Sequence, residues 1–193
     1  RIVEKQFLKQ CQELSGIGPA PHAVIRSEGD FAPLPDDLFP GILKTARLGY
    51  DGKGQVTVHQ RNELDKAWRD LGCVDCVLEK RMPLAFEVSA LVVRGHDGQS
   101  VAYPISENVH RNGILHTSTV PSPSLQASLL PKIIGASQLI AKEMGYVGVL
   151  CVEYFVLDDH TVIVNEIAPR PHNSNRNTGT ARRYENPLPF KII

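Results

Sequence analysis

Residues 147–167 read VGVLCVEYFVLDDHTVIVNEI, two apolar runs separated by a polar break, each carrying one glutamate, Glu153 and Glu166. Alternating Val, Leu, Tyr, Phe and Ile is strand patterning, so 147–156 and 161–167 read as the arms of an antiparallel hairpin. A two-residue turn at Asp159 and His160 makes residues whose numbers sum to 319 face each other, which pairs Val156 with Ile163 and sets Glu153 directly across from Glu166. Opposed carboxylates destabilise a strand pair unless a cation neutralises them. A hard divalent ion with oxygen ligands, Mg2+ above all, fits that role, and it completes its shell with water and phosphate oxygens, which implies a nucleotide. A three-residue turn would instead shift the register and splay both glutamates toward solvent. The hairpin alone does not decide between the two.

A second stretch, KTARLGYDGKGQ at 44–55, places Gly49, Gly52 and Gly54 within six positions between predicted strands at 42–45 and 55–59. Such a loop lets backbone amides approach a phosphate without Cβ interference, with Lys44 and Lys53 supplying positive charge. It is neither a P-loop nor a dinucleotide fingerprint, because it lies between strands instead of opening a helix. Spacing alone leaves a tight surface hairpin equally open.

Around these stretches the chain alternates helix and strand. A first helix carries Val3, Phe7, Cys11 and Leu14 on one stripe, residues 16–40 are broken by Gly and Pro around a short strand at 22–25, and 62–71 forms an amphipathic helix with Leu64, Ala67, Trp68 and Leu71. Strands at 76–79, 86–94 and 100–105, with a turn at His96, Asp97 and Gly98, make an antiparallel meander, and 124–144 reads as a long helix that Pro131 kinks or divides.

The 193 residues, 42% of them hydrophobic, suffice for a real core. Lys plus Arg and Asp plus Glu are 21 each, so no net field draws the chain to nucleic acid or to an anionic membrane. No run of apolar residues reaches membrane-spanning length, and Arg1 to Gln10 mix charged with apolar side chains, which reads as soluble and cytoplasmic. Cys11, Cys73, Cys76 and Cys151 are too scattered for a disulfide framework or a zinc site and are expected as reduced, mostly buried thiols. Arg1 stands where an initiator Met would be, so an upstream part is expected to be absent.

Lys44, the loop 49–55, the run Val77-Leu78-Glu79-Lys80, Glu87, Glu153 and the run VNEIAPRPHNS at 164–174 together resemble the ATP-grasp superfamily, and within it the N5-carboxyaminoimidazole ribonucleotide synthetases. The combination of GYDGKGQ with NEIAPRPHNS is specific, and the resemblance covers about Arg1 to Ser174. It implies an α+β fold of two subdomains clasping a nucleotide: a helix and connector at 1–30, a lid at 31–77, a sheet-bearing part with the metal site at 78–174, and an atypical tail at 175–193. It also implies an ATP-dependent carbon-nitrogen ligase of purine biosynthesis, joining bicarbonate to the amine of 5-aminoimidazole ribonucleotide through carboxyphosphate. Two alternatives are a related ATP-grasp carboxylase or formyl-phosphate enzyme, and a nucleotide-binding fragment without turnover.

Position by position, the resemblance puts Arg1 and Lys44 at the phosphates under a flap of Gly49, Tyr50, Asp51, Gly52, Lys53, Gly54 and Gln55. Adenine would meet the linker Glu79, Lys80, Arg81 and Met82, the ribose Glu87, and His110 would be a further nucleotide contact. Glu153 and Glu166 become Mg2+ ligands with Asn165 beside them. Arg170 and His172 would hold bicarbonate or its phosphorylated form, while Tyr50 and Asp51 face the imidazole. The implied partners are thus ATP, Mg2+, bicarbonate and the aminoimidazole nucleotide, with a homodimer left open. Family members begin with a further domain that is not seen before Arg1, and Asn175 and Arg176 replace the usual Gly-His, so the chain is expected to be a fragment incomplete at both ends.

Overall fold

The computed structural model describes residues 1–47, 54–111 and 114–169. Helix α1 (Ile2–Ser15) ends at Gly16, whose left-handed φ of 72° lets its N–H reach back to the Gln12 carbonyl. Its buried residues are Lys5, Leu8 and Cys11, whereas Val3 and Leu14 are 78% and 69% exposed. The apolar stripe read from the sequence is therefore rotated, and a lysine takes a place in the buried face.

Strands β1 (His22–Ile25), β2 (Gly41–Thr45), β3 (Gln55–Val58) and β4 (Cys76–Lys80) form an antiparallel sheet in the order β1-β4-β2-β3. Its core joins Ile25, Leu43, Val58 and Leu78 to Leu64, Ala67 and Trp68 of α2 (Leu64–Asp70) and to Leu34 and Leu38 of the connector. Trp68 donates its indole N–H to the Val74 carbonyl and meets Phe31 edge to face. Because β1 and the end of β4 belong to this sheet, it extends outside 31–77 on both sides.

Strands β5 (Leu84–Arg94), β6 (Ser100–Ala102), β7 (Ser106–Arg111), β8 (Ile114–Thr119), β9 (Gly148–Leu157) and β10 (Val162–Ala168) form the second sheet in the order β10-β9-β5-β7-β8, with β6 also paired to β5. Strands β7 and β8 were absent from the sequence reading. Helix α3 (Leu130–Glu143) is shorter than the predicted 124–144, and Pro131 lies in its first turn, where its missing N–H costs nothing, so proline starts this helix and does not kink it. Ile133, Ala136 and Ile140 of α3 pack with Leu8 and Cys11 of α1 on Val88, Ala90, Val92, Val152, Tyr154 and Val156. That covered face is apolar. Strand alternation then delivers Glu87, Ser89, Ser106, Asn108, Glu153 and Glu166 to the opposite face, away from α3. Cys11, Cys76 and Cys151 are buried and Cys73 is exposed, and none of the four forms a disulfide.

The hairpin of β9 (Gly148–Leu157) and β10 (Val162–Ala168) departs from its predicted register. Its turn has three residues, 158–160: Leu157 donates to the Thr161 carbonyl at 2.9 Å, and His160 takes a left-handed φ of 66°. Val162 therefore faces Val156 and Val164 faces Tyr154, one residue off the expected pairing. A bulge at Asn165 then restores it, and Glu166 faces Glu153, Ile167 faces Val152 and Ala168 faces Cys151.

Candidate nucleotide and metal site

The bulge decides which way Glu166 faces. With a three-residue turn and no bulge, Asn165 would oppose Glu153, and Glu166 would turn to the face of Val152, inside the apolar layer under α3. One extra residue inverts the rest of the strand. The two carboxylates then occupy one row across the sheet with Ser106 and Ser89, since Ser89 faces both Ser106 and Glu153. Glu153 is buried and Glu166 half-buried. A pair of carboxylates on adjacent strands is a donor set suited to Mg2+, with room left in its shell for phosphate oxygens and water. Among the described residues no cluster of three or more His, Cys, Asp or Glu groups offers a metal an all-protein cage.

Beside this row lies a cavity of about 190 Å³ lined by Arg1, Glu4, Lys5, Ala46, Arg47, Asn165 and Glu166. It is smaller than the roughly 300–1,000 Å³ of a pocket that engulfs a whole ligand, and matches the phosphate end of a nucleotide better than all of it. Its wall is charged: α1 brings Arg1, Glu4 and Lys5, the end of β2 leads into Ala46 and Arg47, and β10 brings Asn165 and Glu166.

Lys44 and Glu79 occupy neighbouring strands, β2 and β4, and their side chains meet at 2.9 Å in a buried ion pair. Lys5 Nζ approaches the other carboxylate oxygen at 3.4 Å, so one carboxylate is shared by two lysines. Burial alone would raise the Glu79 carboxyl, but Lys44 and Lys5 outweigh it and leave it below the ordinary value. Lys5 is itself lowered by burial, against the pull of Glu79.

The resemblance assigns all four linker residues, Glu79 to Met82, to the base. The N–H of Lys80 donates to the Pro21 carbonyl and that of Arg81 to the Pro40 carbonyl, so neither amide is available to a ligand. Glu79 belongs to the cluster of charges through its side chain. Glu87 and His110 come together at 3.3 Å, on β5 and β7. Asn108, between them and the carboxylate row, donates to Ser89 Oγ at 2.7 Å and accepts from Ser118 Oγ at 2.9 Å, a buried polar chain that the sequence reading missed because β7 and β8 were not recognised as strands. Lys5 and Glu4 were missed as well; Arg1 at the N-cap, Glu4 and Lys5 share one side of α1 at i, i+3 and i+4 spacing, a pattern that solvent-facing helix charges share, so it does not mark them as site residues. Gln55 opens β3 and Gly54 is the turn residue before it. Gly49, Tyr50, Asp51, Gly52 and Lys53, together with Arg170, His172 and the tail, lie outside the described residues.

Comparison with known proteins bears on this geometry. The ATP-grasp domain family matches residues 13–185. The N5-carboxyaminoimidazole ribonucleotide synthase of Brucella melitensis is 39% identical over 185 residues, covering 94% of this chain and 49% of that protein. The synthase of Bacillus subtilis is 34% identical over 171 residues, covering 88% and 45%. The solved structure of N5-carboxyaminoimidazole synthetase from Staphylococcus aureus complexed with ADP superposes with a TM-score of 0.79 at 33% identity, covering 91% of this chain and 46% of that one. The chain thus spans about half the length of the curated relatives it matches.

Proposed function

The chain belongs to the ATP-grasp family, and from that premise we propose that it supplies the nucleotide and metal site of an ATP-dependent ligase that carboxylates 5-aminoimidazole ribonucleotide with bicarbonate, giving N5-carboxyaminoimidazole ribonucleotide. The observation that carries this reading is the bulge-enforced juxtaposition of Glu153 and Glu166 beside a cavity lined by Arg1, Lys5 and Arg47. Glu153 and Glu166 would hold Mg2+, which would supply positive charge to offset that on the transferred phosphoryl group.

The chain's own residues divide the remaining work. Glu153 and Glu166 hold the metal. Lys44, oriented by Glu79, reaches toward the phosphates. The linker meets adenine through carbonyl groups and the Met82 amide, because the Lys80 and Arg81 amides are already bonded. Glu87 accepts from ribose hydroxyls with His110 beside it. Residues 49–55 act as the flap with Tyr50 and Asp51 toward the imidazole, and Arg170 and His172 hold the one-carbon group. A guanidinium at Arg170 suits a planar carboxylate or phosphate through paired hydrogen bonds. The balanced sequence transfers the γ-phosphoryl of ATP to a bicarbonate oxygen with release of ADP. The exocyclic amine then attacks the carboxyl carbon of carboxyphosphate, the C–O bond to phosphate breaks, and the nitrogen gives up a proton as phosphate leaves.

In the complete protein, Glu166→Gln is expected to abolish metal-dependent turnover, because an amide cannot replace an anionic ligand. Arg170→Ala is expected to depress product formation far more than it raises the KM for ATP. Wild-type activity in Glu166→Gln would overturn the metal assignment. ATP cleavage stimulated by bicarbonate and a different amine, but not by the aminoimidazole nucleotide, would move the substrate to another ATP-grasp carboxylase class.

A further inference from the structure

Strand β10 is an edge strand, and something must satisfy its outer backbone groups. At Val164 the connector does so: the Val164 N–H donates to the Gly18 carbonyl at 2.8 Å, and Pro19 forms a parallel bridge with Val164. Beyond Val164 the bulge begins and the connector's pairing stops. Two adjacent side chains of α1 take over. Lys5 Nζ donates to the Asn165 carbonyl at 3.0 Å, and Glu4 Oε1 accepts from the Ile167 N–H at 2.8 Å. These bonds fall on the residues immediately before and after Glu166.

We infer that Glu4 and Lys5 are positioning residues that clamp the backbone on both sides of Glu166, hold the bulge at Asn165, and so keep the Glu166 carboxylate on the face of Glu153. A bulge left without partners can slide along its strand, and here a slip of one residue would carry Glu166 to the apolar face. Lys5 adds a second link. Its ammonium also meets Glu79, which binds Lys44, so one buried side chain joins the four-stranded sheet to the turn of backbone that aims Glu166. Lys5 is 3% exposed, and Glu4 is held on the cavity wall next to Glu166. Outer-shell partners of this kind typically change metal affinity by about 10- to 100-fold when removed.

This inference rests on the metal assignment proposed above, and two measurements on the complete protein separate the two. The first is amide hydrogen exchange at Ile167 without metal or nucleotide. Glu4→Met removes the acceptor at nearly constant volume and is expected to speed exchange at least about tenfold, since protection tracks the local bond, whereas Glu4→Gln keeps an acceptor oxygen and is expected to exchange as wild type. The second is Mn2+ binding in the presence of ADP, followed by electron paramagnetic resonance. Glu4→Met and Lys5→Met are expected to weaken it about tenfold, with Glu4→Gln close to wild type. Should Lys5→Met fail to fold, the Glu4 pair still decides. Unchanged Ile167 exchange in Glu4→Met would overturn the clamp. Equal weakening in Glu4→Gln and Glu4→Met would overturn it too, by making the carboxylate's charge and not its hydrogen bond the active property. Mn2+ binding that survives Glu166→Gln would sink the metal assignment, leaving the clamp to be judged on Ile167 exchange.

Discussion

Glu79 is 5% exposed with Lys44 at 2.9 Å and Lys5 at 3.4 Å, so its charge is worth most where both lysines are protonated and water is excluded. Removing one partner of a buried ion cluster strands the others, and Glu79→Gln is expected to cost roughly 3 kcal/mol at neutral pH. Because the folded-state carboxyl ionises below its ordinary value of 4.5, its contribution is complete above that pH and is lost as pH falls through the folded value. Glu4, whose carboxyl burial raises, works in the opposite direction, so the difference between wild type and Glu79→Gln isolates the Glu79 part. Urea unfolding between pH 7 and pH 3 should show that difference shrinking below pH 4.5; a constant difference would mean that the lysines do not hold the carboxylate ionised. At this scale the sequence revealed which residues carry charge but not which are buried. Nothing in the spacing of Lys5 separates it from solvent lysines such as Lys9; its burial follows from where α1 crosses both sheets.

At the scale of elements, Tyr154 of β9 and Ser137 of α3 show how the site's strand is fixed from behind. The Tyr154 hydroxyl is fully buried and lies 2.6 Å from Ser137 Oγ, which itself donates to the Ile133 carbonyl at 2.8 Å. Tyr154→Phe leaves Ser137 with that carbonyl and is expected to cost about 1 kcal/mol, whereas Ser137→Ala leaves the phenol with a 3.4 Å contact to Ile133 and is expected to cost more, roughly 2 kcal/mol. A double-mutant cycle by chemical denaturation checks the coupling; additive losses would show that the hydroxyls do not join helix to sheet. The hairpin carrying Glu153 shows how far patterning reads an element. The sequence reading placed Glu153 opposite Glu166 through a two-residue turn, whereas the structure reaches that pairing through a three-residue turn and a compensating bulge. His160 in a left-handed conformation leaves no mark as clear as Asn-Gly, and a bulge has no compositional signal of its own. Strands β7 and β8 escaped for a related reason. Ser106, Asn108 and Ser118 give them polar positions on the face of the sheet turned away from α3, and the alternation expected of a half-buried strand is weakened there.

For the whole molecule, two sheets with separate cores share α1, whose Lys5 reaches Glu79 in one and Asn165 in the other. A nucleotide held by Lys44 on the four-stranded sheet and by metal on Glu153 and Glu166 of the six-stranded sheet would add a second tie, and ligand present only in the folded state stabilises by mass action. At about 100 times its Kd, MgADP is therefore expected to contribute about 2.7 kcal/mol, which in a chain of this length raises Tm by roughly 5–11 °C. Two sheets joined by one ligand should answer to damage on either side. Lys44→Ala and Glu166→Gln, each compared with its own unliganded Tm because Lys44→Ala also deprives Glu79 of a partner, should both lose most of the shift. Chelation of Mg2+ should reduce the wild-type shift and leave that of Glu166→Gln little changed. Thermal scans with and without MgADP make the measurement without depending on which amine is carboxylated. A shift retained in both variants would place the nucleotide elsewhere; a shift lost in Lys44→Ala alone would keep the phosphate contact and remove the metal from the clasp.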